Sequence, residues 1–171
     1  LGTTEITSLH AASALRAYGI EAHSYTDFDA MVSAEEPDAV VIASPSSTHD
    51  GYLLKCLDRG LHILCEKPFI WGDTTDLQKR AEDIVRQARE KGLTIAMNSQ
   101  WPFSIGDYEE ICGKVRIEER NKFFVRMSPF SPGRVMLPES VPHPLSILYC
   151  QLGPGRIQDL NFESHGEEEM I

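Results

Sequence analysis

The stretch from Glu36 to Phe69, EPDAVVIASPSSTHDGYLLKCLDRGLHILCEKPF, reads as strand, turn, helix and strand, and it ends in a charged cluster. Asp38 to Ala43 is a continuous apolar, β-branched run, the pattern of a parallel strand covered on both faces. It stops at Ser44-Pro45, where the proline restricts Ser44 to extended geometry. Ser46, Ser47 and Thr48 then offer hydroxyls and backbone N–H groups where a helix is about to begin, a place suited to an anion. Leu53, Leu54 and Leu57 recur at helical spacing, Gly60 occupies the position of a left-handed cap, and Leu61 to Cys65 forms the next strand. Strand, helix and strand within about thirty residues make a βαβ unit with a right-handed crossover. The second strand runs directly into Glu66-Lys67-Pro68, and ligands of open α/β sheets bind beyond the carboxyl ends of strands.

Working outward, Ile6 to Tyr18 is predicted as an amphipathic helix closed by Gly19, and Ile20 to Tyr25 as a short strand. Thr26 or Asp27 caps a helix through Phe28, Met31 and Val32 that ends before Pro37. On the other side, Asp73 to Thr75 is expected to cap a long helix with Leu77, Ala81, Ile84, Val85 and Ala88 on one stripe, stopped at Gly92. Leu93 to Met97 is the next strand, expected to be buried. A domain boundary is placed near Asn98, giving an incomplete parallel sheet over 1–98 and part of an α+β domain over 99–171. There Tyr108 to Cys112 reads as a helix, Arg116 to Glu118, Phe123 to Met127 and Arg156 to Ser164 as strands, and Pro144 to Leu152 as a helix.

Composition narrows the function classes. The 171 residues suffice for a core, and a net charge of −10 argues against a nucleic-acid partner, which requires clustered Lys and Arg. No run approaches the roughly 18 apolar residues of a membrane span and no signal pattern opens the chain, so the cytoplasm is the expected location. The four cysteines, Cys56, Cys65, Cys112 and Cys150, form no C-x-x-C pair and read as buried free thiols rather than metal ligands. His62 and Cys65 are three apart on a strand, point to opposite faces and cannot share a metal.

The run Val-Ile-Ala-Ser-Pro with His49 four residues on, followed by the helix and His-Ile-Leu-Cys-Glu-Lys-Pro-Phe, resembles the signature of the Gfo/Idh/MocA oxidoreductases. The resemblance implies a Rossmann-type α/β fold, NAD or NADP as cofactor, a small sugar-like or polyol substrate, and a homo-oligomer. It implies that Lys67 lies beside the nicotinamide and the substrate hydroxyl; the plain alternative is a surface lysine at a strand end. Glu66 pairs with Lys67 or holds the nicotinamide ribose, and Pro68 resembles the family's cis-proline. Pro45, Ser46, Thr48 and His49 are expected on the cofactor face, with helix capping by Thr48 and His49 as the alternative. Asn98, Gln100 and Trp101 close the adjoining strand toward the substrate, although Trp101 is equally suited to packing between domains.

A second element, Glu139-x-x-x-His143, resembles the family's acid-x-x-x-His motif. His143 titrates near neutrality and is expected to take the alcohol proton while Lys67 positions the oxygen; a capping histidine is the alternative. Glu139 stands where the family more often has Asp. The chain also departs from the pattern in holding no G-x-G-x-x-G turn, since its only G-x-G is Gly153-Pro154-Gly155. It is therefore expected to be part of a longer enzyme, since without the first strand of that fold the strand Val40 to Ala43 is left with an unpaired edge. The rival readings are a catalytically silent scaffold on the same fold and a reductase of imines or linear pyrroles.

Overall fold

The computed structural model describes residues 5–72, 75–114, 116, 122–128, 131, 133–159 and 161. The chain forms two compact units, Leu1–Ala39 and Val40–Ile171.

The first unit holds α1, Glu5–Arg16, and α2, Phe28–Glu35. Asp27 caps α2 by accepting the Ala30 N–H at 2.7 Å. The predicted strand over residues 20–25 is not formed. A strand needs a neighbour for its N–H and C=O groups, and among the described residues every strand pairing belongs to β1, β2 and β3. Residues 23 and 25 still point the same way, as alternation requires: His23 Nδ1 lies 2.7 Å from the Glu35 carboxylate and the Tyr25 hydroxyl donates to the same oxygen.

The second unit is built on a three-stranded sheet of β1 (Ala39–Ile42), β2 (His62–Glu66) and β3 (Ile95–Asn98), in the order β1-β2-β3. β2 and β3 run parallel, with Ile63 opposite Ile95 and Glu66 opposite Asn98. The crossover from β1 to β2 is α3, His49–Asp58, and that from β2 to β3 is α4, Leu77–Glu90. Because the strand order advances in one direction, two right-handed crossovers place both helices on one face of the sheet. That face is dry: Ile42, Ile63, Cys65, Leu53, Cys56, Leu57, Ile84 and Ala88 are all buried.

The expectation that the first of these strands is covered on both faces is corrected by the same topology. Val41 is 67 % exposed and Leu64 41 % exposed, on the side away from α3 and α4. β3 is also less buried than expected, with Met97 exposed at the outer strand. β1 occupies the opposite edge, with β2 as its neighbour among the described residues.

Caps explain the ends of the crossovers. Gly60 has φ 70°, so the chain turns out of α3 in a conformation that L side chains resist. α4 begins one residue later than expected: Asp76, not the 73–75 run, accepts the Lys79 N–H at 3.2 Å, while residues 73 and 74 lie outside the described set. Of its predicted apolar stripe Ile84 and Ala88 are fully buried, whereas Val85 turns outward.

Beyond β3 the regular elements among the described residues are helices and 3-10 turns. A 3-10 turn, Trp101–Phe103, leads into α5, Ser104–Cys112, and later into α6, Met136–Ser140, and α7, Pro142–Leu152. The strand expected at 123–127 is coil, as are the described residues 156–159 of the last one; residues 117 and 118 of the remaining one lie outside the described set. An isolated extended segment has nothing to satisfy its backbone and does not persist as a strand. α6 was not predicted; its Pro138 lies in the first turn, where no i−4 bond is lost.

Cys56 and Cys65 are buried free thiols as expected, but Cys112 and Cys150 are exposed. Each lies at the solvent side of its helix, which composition alone does not reveal. Among the described residues no cluster of three His, Cys, Asp or Glu could hold a metal, and no helix is long and apolar enough to cross a membrane.

Candidate functional site

The carboxyl ends of β1, β2 and β3 carry the residues of interest. β1 ends in Ser44-Pro45 and a 3-10 turn, Ser46–Thr48, before α3 starts. The Thr48 hydroxyl does not cap α3; it donates to the Pro45 carbonyl at 2.7 Å and lies 2.6 Å from the Ser44 hydroxyl, fixing the turn. Pro45 is exposed and Ser46 half-buried on this loop. His49, the first residue of α3, is 1 % exposed. Its Nδ1 lies 2.8 Å from the Pro68 carbonyl and its Nε2 2.9 Å from that of Ser44, so backbone occupies both ring nitrogens.

β2 delivers Glu66, Lys67 and Pro68, with a cis peptide bond between Lys67 and Pro68. The Glu66 carboxylate accepts from Asn98 Nδ2 on one oxygen and from the Lys67 backbone N–H at 3.2 Å on the other. Strand register explains the first bond, since Glu66 and Asn98 are direct neighbours at the tips of parallel strands. The Lys67 ammonium reaches across 72 positions of sequence and donates to the Glu139 carbonyl at 2.9 Å.

Glu139 and His143 do not share one helix. α6 ends at Ser140 and α7 begins at Pro142, with Val141 between them in helical geometry. The Glu139 carboxylate turns to Ser131, accepting its backbone N–H at 3.1 Å and its hydroxyl at 2.8 Å. No local pattern in the sequence ties residue 131 to residue 139, so Ser131 was not anticipated.

His143 is half-buried and stacks on Trp101, with ring centroids 4.9 Å apart and planes 16° apart. Trp101 reaches this position because the chain leaving β3 folds at once into a 3-10 turn that packs on α7. Gln100 starts that turn through its carbonyl, which accepts the Phe103 N–H at 3.1 Å, and its side chain is exposed. Burial holds the His143 pKa below its ordinary value, the positive charge of Lys67 pushes the same way, and Glu66 opposes them. Its Nδ1 is buried and has no hydrogen-bond partner among the described residues, an orphaned polar atom of the kind that marks a site for a ligand or for chemistry.

The structure thus groups Glu66, Lys67, Asn98, Trp101, Glu139 and His143, with the Pro45–Thr48 loop at the neighbouring strand end and Gln100 turned to solvent. Chemically, a neutral imidazole beside an ammonium can accept a proton from an oxygen that the ammonium holds.

Comparison with known proteins bears on the family and the fold. Residues 3–99 match the GFO_IDH_MocA model, described as an oxidoreductase family with an NAD-binding Rossmann fold. The chain is 30 % identical over 96 residues to scyllo-inositol 2-dehydrogenase (NADP(+)) IolU of Bacillus subtilis, covering 53 % of this chain and 28 % of that protein. It is 42 % identical over 64 residues to inositol 2-dehydrogenase of Mycolicibacterium smegmatis, covering 37 % of this chain and 17 % of the relative. The chain therefore spans less than a third of the length of these curated relatives. Among solved structures it shares its fold with GenD2 from gentamicin A biosynthesis in complex with NAD, with a TM-score of 0.53, 21 % identity and coverage of 64 % of this chain and 29 % of that one. The match over residues 3–99, more than half of the chain, and the β1-β2-β3 sheet with Glu66-Lys67-Pro68 at a strand end make this chain a member of the Gfo/Idh/MocA oxidoreductase family with its NAD-binding Rossmann fold.

Proposed function

We propose that the protein transfers a hydride between NAD or NADP and a hydroxyl or carbonyl carbon of a sugar-like or polyol substrate. The observation that carries this reading is the meeting of Lys67, from the end of β2, with the Glu139–His143 segment 72 residues later. The inositol dehydrogenases among the relatives support a polyhydroxylated substrate.

The cofactor fit rests on the strand ends. Pro45, Ser46 and Thr48 after β1, and Glu66, Lys67 and Pro68 after β2, occupy neighbouring positions where open sheets take dinucleotides. These residues fit the nicotinamide end. The 171 residues hold no G-x-G-x-x-G turn for the pyrophosphate. When bound, the nicotinamide supplies the acceptor or donor of the hydride.

The chain's own residues handle the proton and the oxygen. The Lys67 ammonium holds the substrate hydroxyl oxygen and stabilises negative charge as it develops there. His143, kept neutral by burial and by Lys67, accepts the hydroxyl proton during oxidation and returns it during reduction. Trp101 and Asn98 bound the substrate side, and Glu139 holds the segment carrying His143 through Ser131. The division of the chain into 1–98, bearing the cofactor residues, and 99–171, bearing His143, belongs to the same proposal.

The test is NADH and NADPH binding by fluorescence to the full-length natural protein, followed by a polyol and sugar panel with Lys67→Ala and His143→Ala. The expected outcome is cofactor binding in all three proteins and loss of turnover of about 100-fold or more in each variant. A protein that binds neither dinucleotide is the silent scaffold instead, and undiminished turnover in both variants removes the assigned roles.

A further inference from the structure

The backbone that carries Lys67 is held from below by a side chain outside the reacting group. Glu66 Oε2 accepts the Lys67 N–H, and the carbonyl of the next residue, Pro68, lies 2.8 Å from His49 Nδ1. The opposite nitrogen of the same ring lies 2.9 Å from the Ser44 carbonyl, at the end of the adjacent strand. At 1 % exposure the ring lies inside the protein, between the loop that follows β1 and the turn that follows β2. In either neutral tautomer one N–H donates to one of the two carbonyls while the other nitrogen packs against the second, which leaves neither nitrogen open to a bound molecule.

We propose that His49 is a positioning residue that ties the Ser44 end of β1 to the 67–68 turn and so sets where the Lys67 ammonium stands. The inference deepens the proposed function, since it takes Lys67 as the group that meets the substrate oxygen. Lys67 is suspended between two supports: the Glu139 carbonyl at its tip, 2.9 Å away, and the turn braced by His49 at its base. Loss of the brace leaves the tip bond in place only if the turn does not move. The geometry that hydride and proton transfer demand is narrow, and a displacement of about 1 Å is enough to cost on the order of 100-fold in rate.

The test uses the full-length protein and His49→Leu, which keeps an apolar body of similar reach and removes both polar contacts, beside His49→Gln, which restores a donor. Circular dichroism establishes that each variant is folded. Acylation of lysines is then followed by peptide mass spectrometry, with Lys91 as the internal reference because its ammonium also donates to a backbone carbonyl, that of Leu57, at 2.8 Å. The expected result is several-fold faster labelling of Lys67 relative to Lys91 in His49→Leu and a partial return toward wild type in His49→Gln. In turnover, kcat falls by about 100-fold while the cofactor KM stays within about 2-fold.

An unchanged ratio of Lys67 to Lys91 labelling in folded His49→Leu overturns the proposal, as does a loss confined to cofactor affinity. Where His49→Leu does not fold, His49→Phe, which keeps a ring and also lacks both polar contacts, carries the same comparison. A wild-type protein without hydride transfer defeats the proposed function and leaves the labelling experiment to judge His49 on its own.

Discussion

The pKa of His143 is lowered by burial first, then by the Lys67 charge, with Glu66 acting in the opposite direction. These signs give a testable ordering. An NMR titration of the His143 ring is expected to show a midpoint below the ordinary imidazole value of about 6.5. Lys67→Met removes a like charge and raises that midpoint; Glu66→Gln removes an opposite charge and lowers it further. Because the folded imidazole binds its proton less readily than the unfolded one, the unfolded chain is the first to take up a proton as pH falls through about 6.5. Acidification through that window therefore costs stability, and the kcat/KM of the oxidation falls at lower pH, where the folded His143 in turn becomes protonated. The stack on Trp101 belongs to the same scale. Trp101→Phe keeps an aromatic face and is expected to retain most activity, whereas Trp101→Leu loses about 0.5–1.5 kcal/mol of ring–ring contact and several-fold in kcat. A pH profile separates the two variants, since only loss of the aromatic face frees the His143 ring.

Among the elements, α4 depends on a single side chain for its start. Asp76 accepts the Lys79 N–H, and Asp76→Ala is expected to cost about 1 kcal/mol, read as a lower urea midpoint at unchanged slope. The Arg80–Asp50 pair joins α4 to α3 with two bonds at 2.8 and 3.2 Å, yet both side chains are about two-fifths exposed, so water screens it and it ranks below the cap. The element scale is also where sequence was most legible. The βαβ pattern of Pro37 to Phe69 and the helix before β3 follow from local periodicity and caps, and both stand within one to three residues of their expected bounds. Residues 20–25 and 123–127 have the β-branched and aromatic composition of strands and lack partners among the described residues. Composition reports a preference for extension, and pairing decides whether a strand results.

For the whole molecule, the same division holds at the site. Glu66, Lys67 and Asn98 were legible because each ends a strand of a parallel sheet, where topology places ligands. A common pocket for Lys67 and His143 was expected only through family resemblance, and the bond from the Lys67 ammonium to the Glu139 carbonyl was not expected at all, as spacing carries no information across 72 residues. The Glu139 bond to Ser131 and the use of both His49 nitrogens by backbone depend on packing between segments distant in sequence, and no local pattern encodes them.

The distribution of sulfur gives the protein a built-in gauge of its own integrity. Cys112 and Cys150 face solvent, while Cys56 and Cys65 are enclosed between α3 and the sheet, where burial pushes their thiols up to about 11 and about 12. At neutral pH a disulfide reagent is expected to titrate residues 112 and 150 promptly and to reach 56 and 65 only when the layer of helix on sheet opens. Modification of all four at one rate in native buffer contradicts the enclosure. The lag between the two pairs measures how often the floor beneath the Glu66-Lys67-Pro68 turn comes apart, with no dye, cofactor or substrate needed.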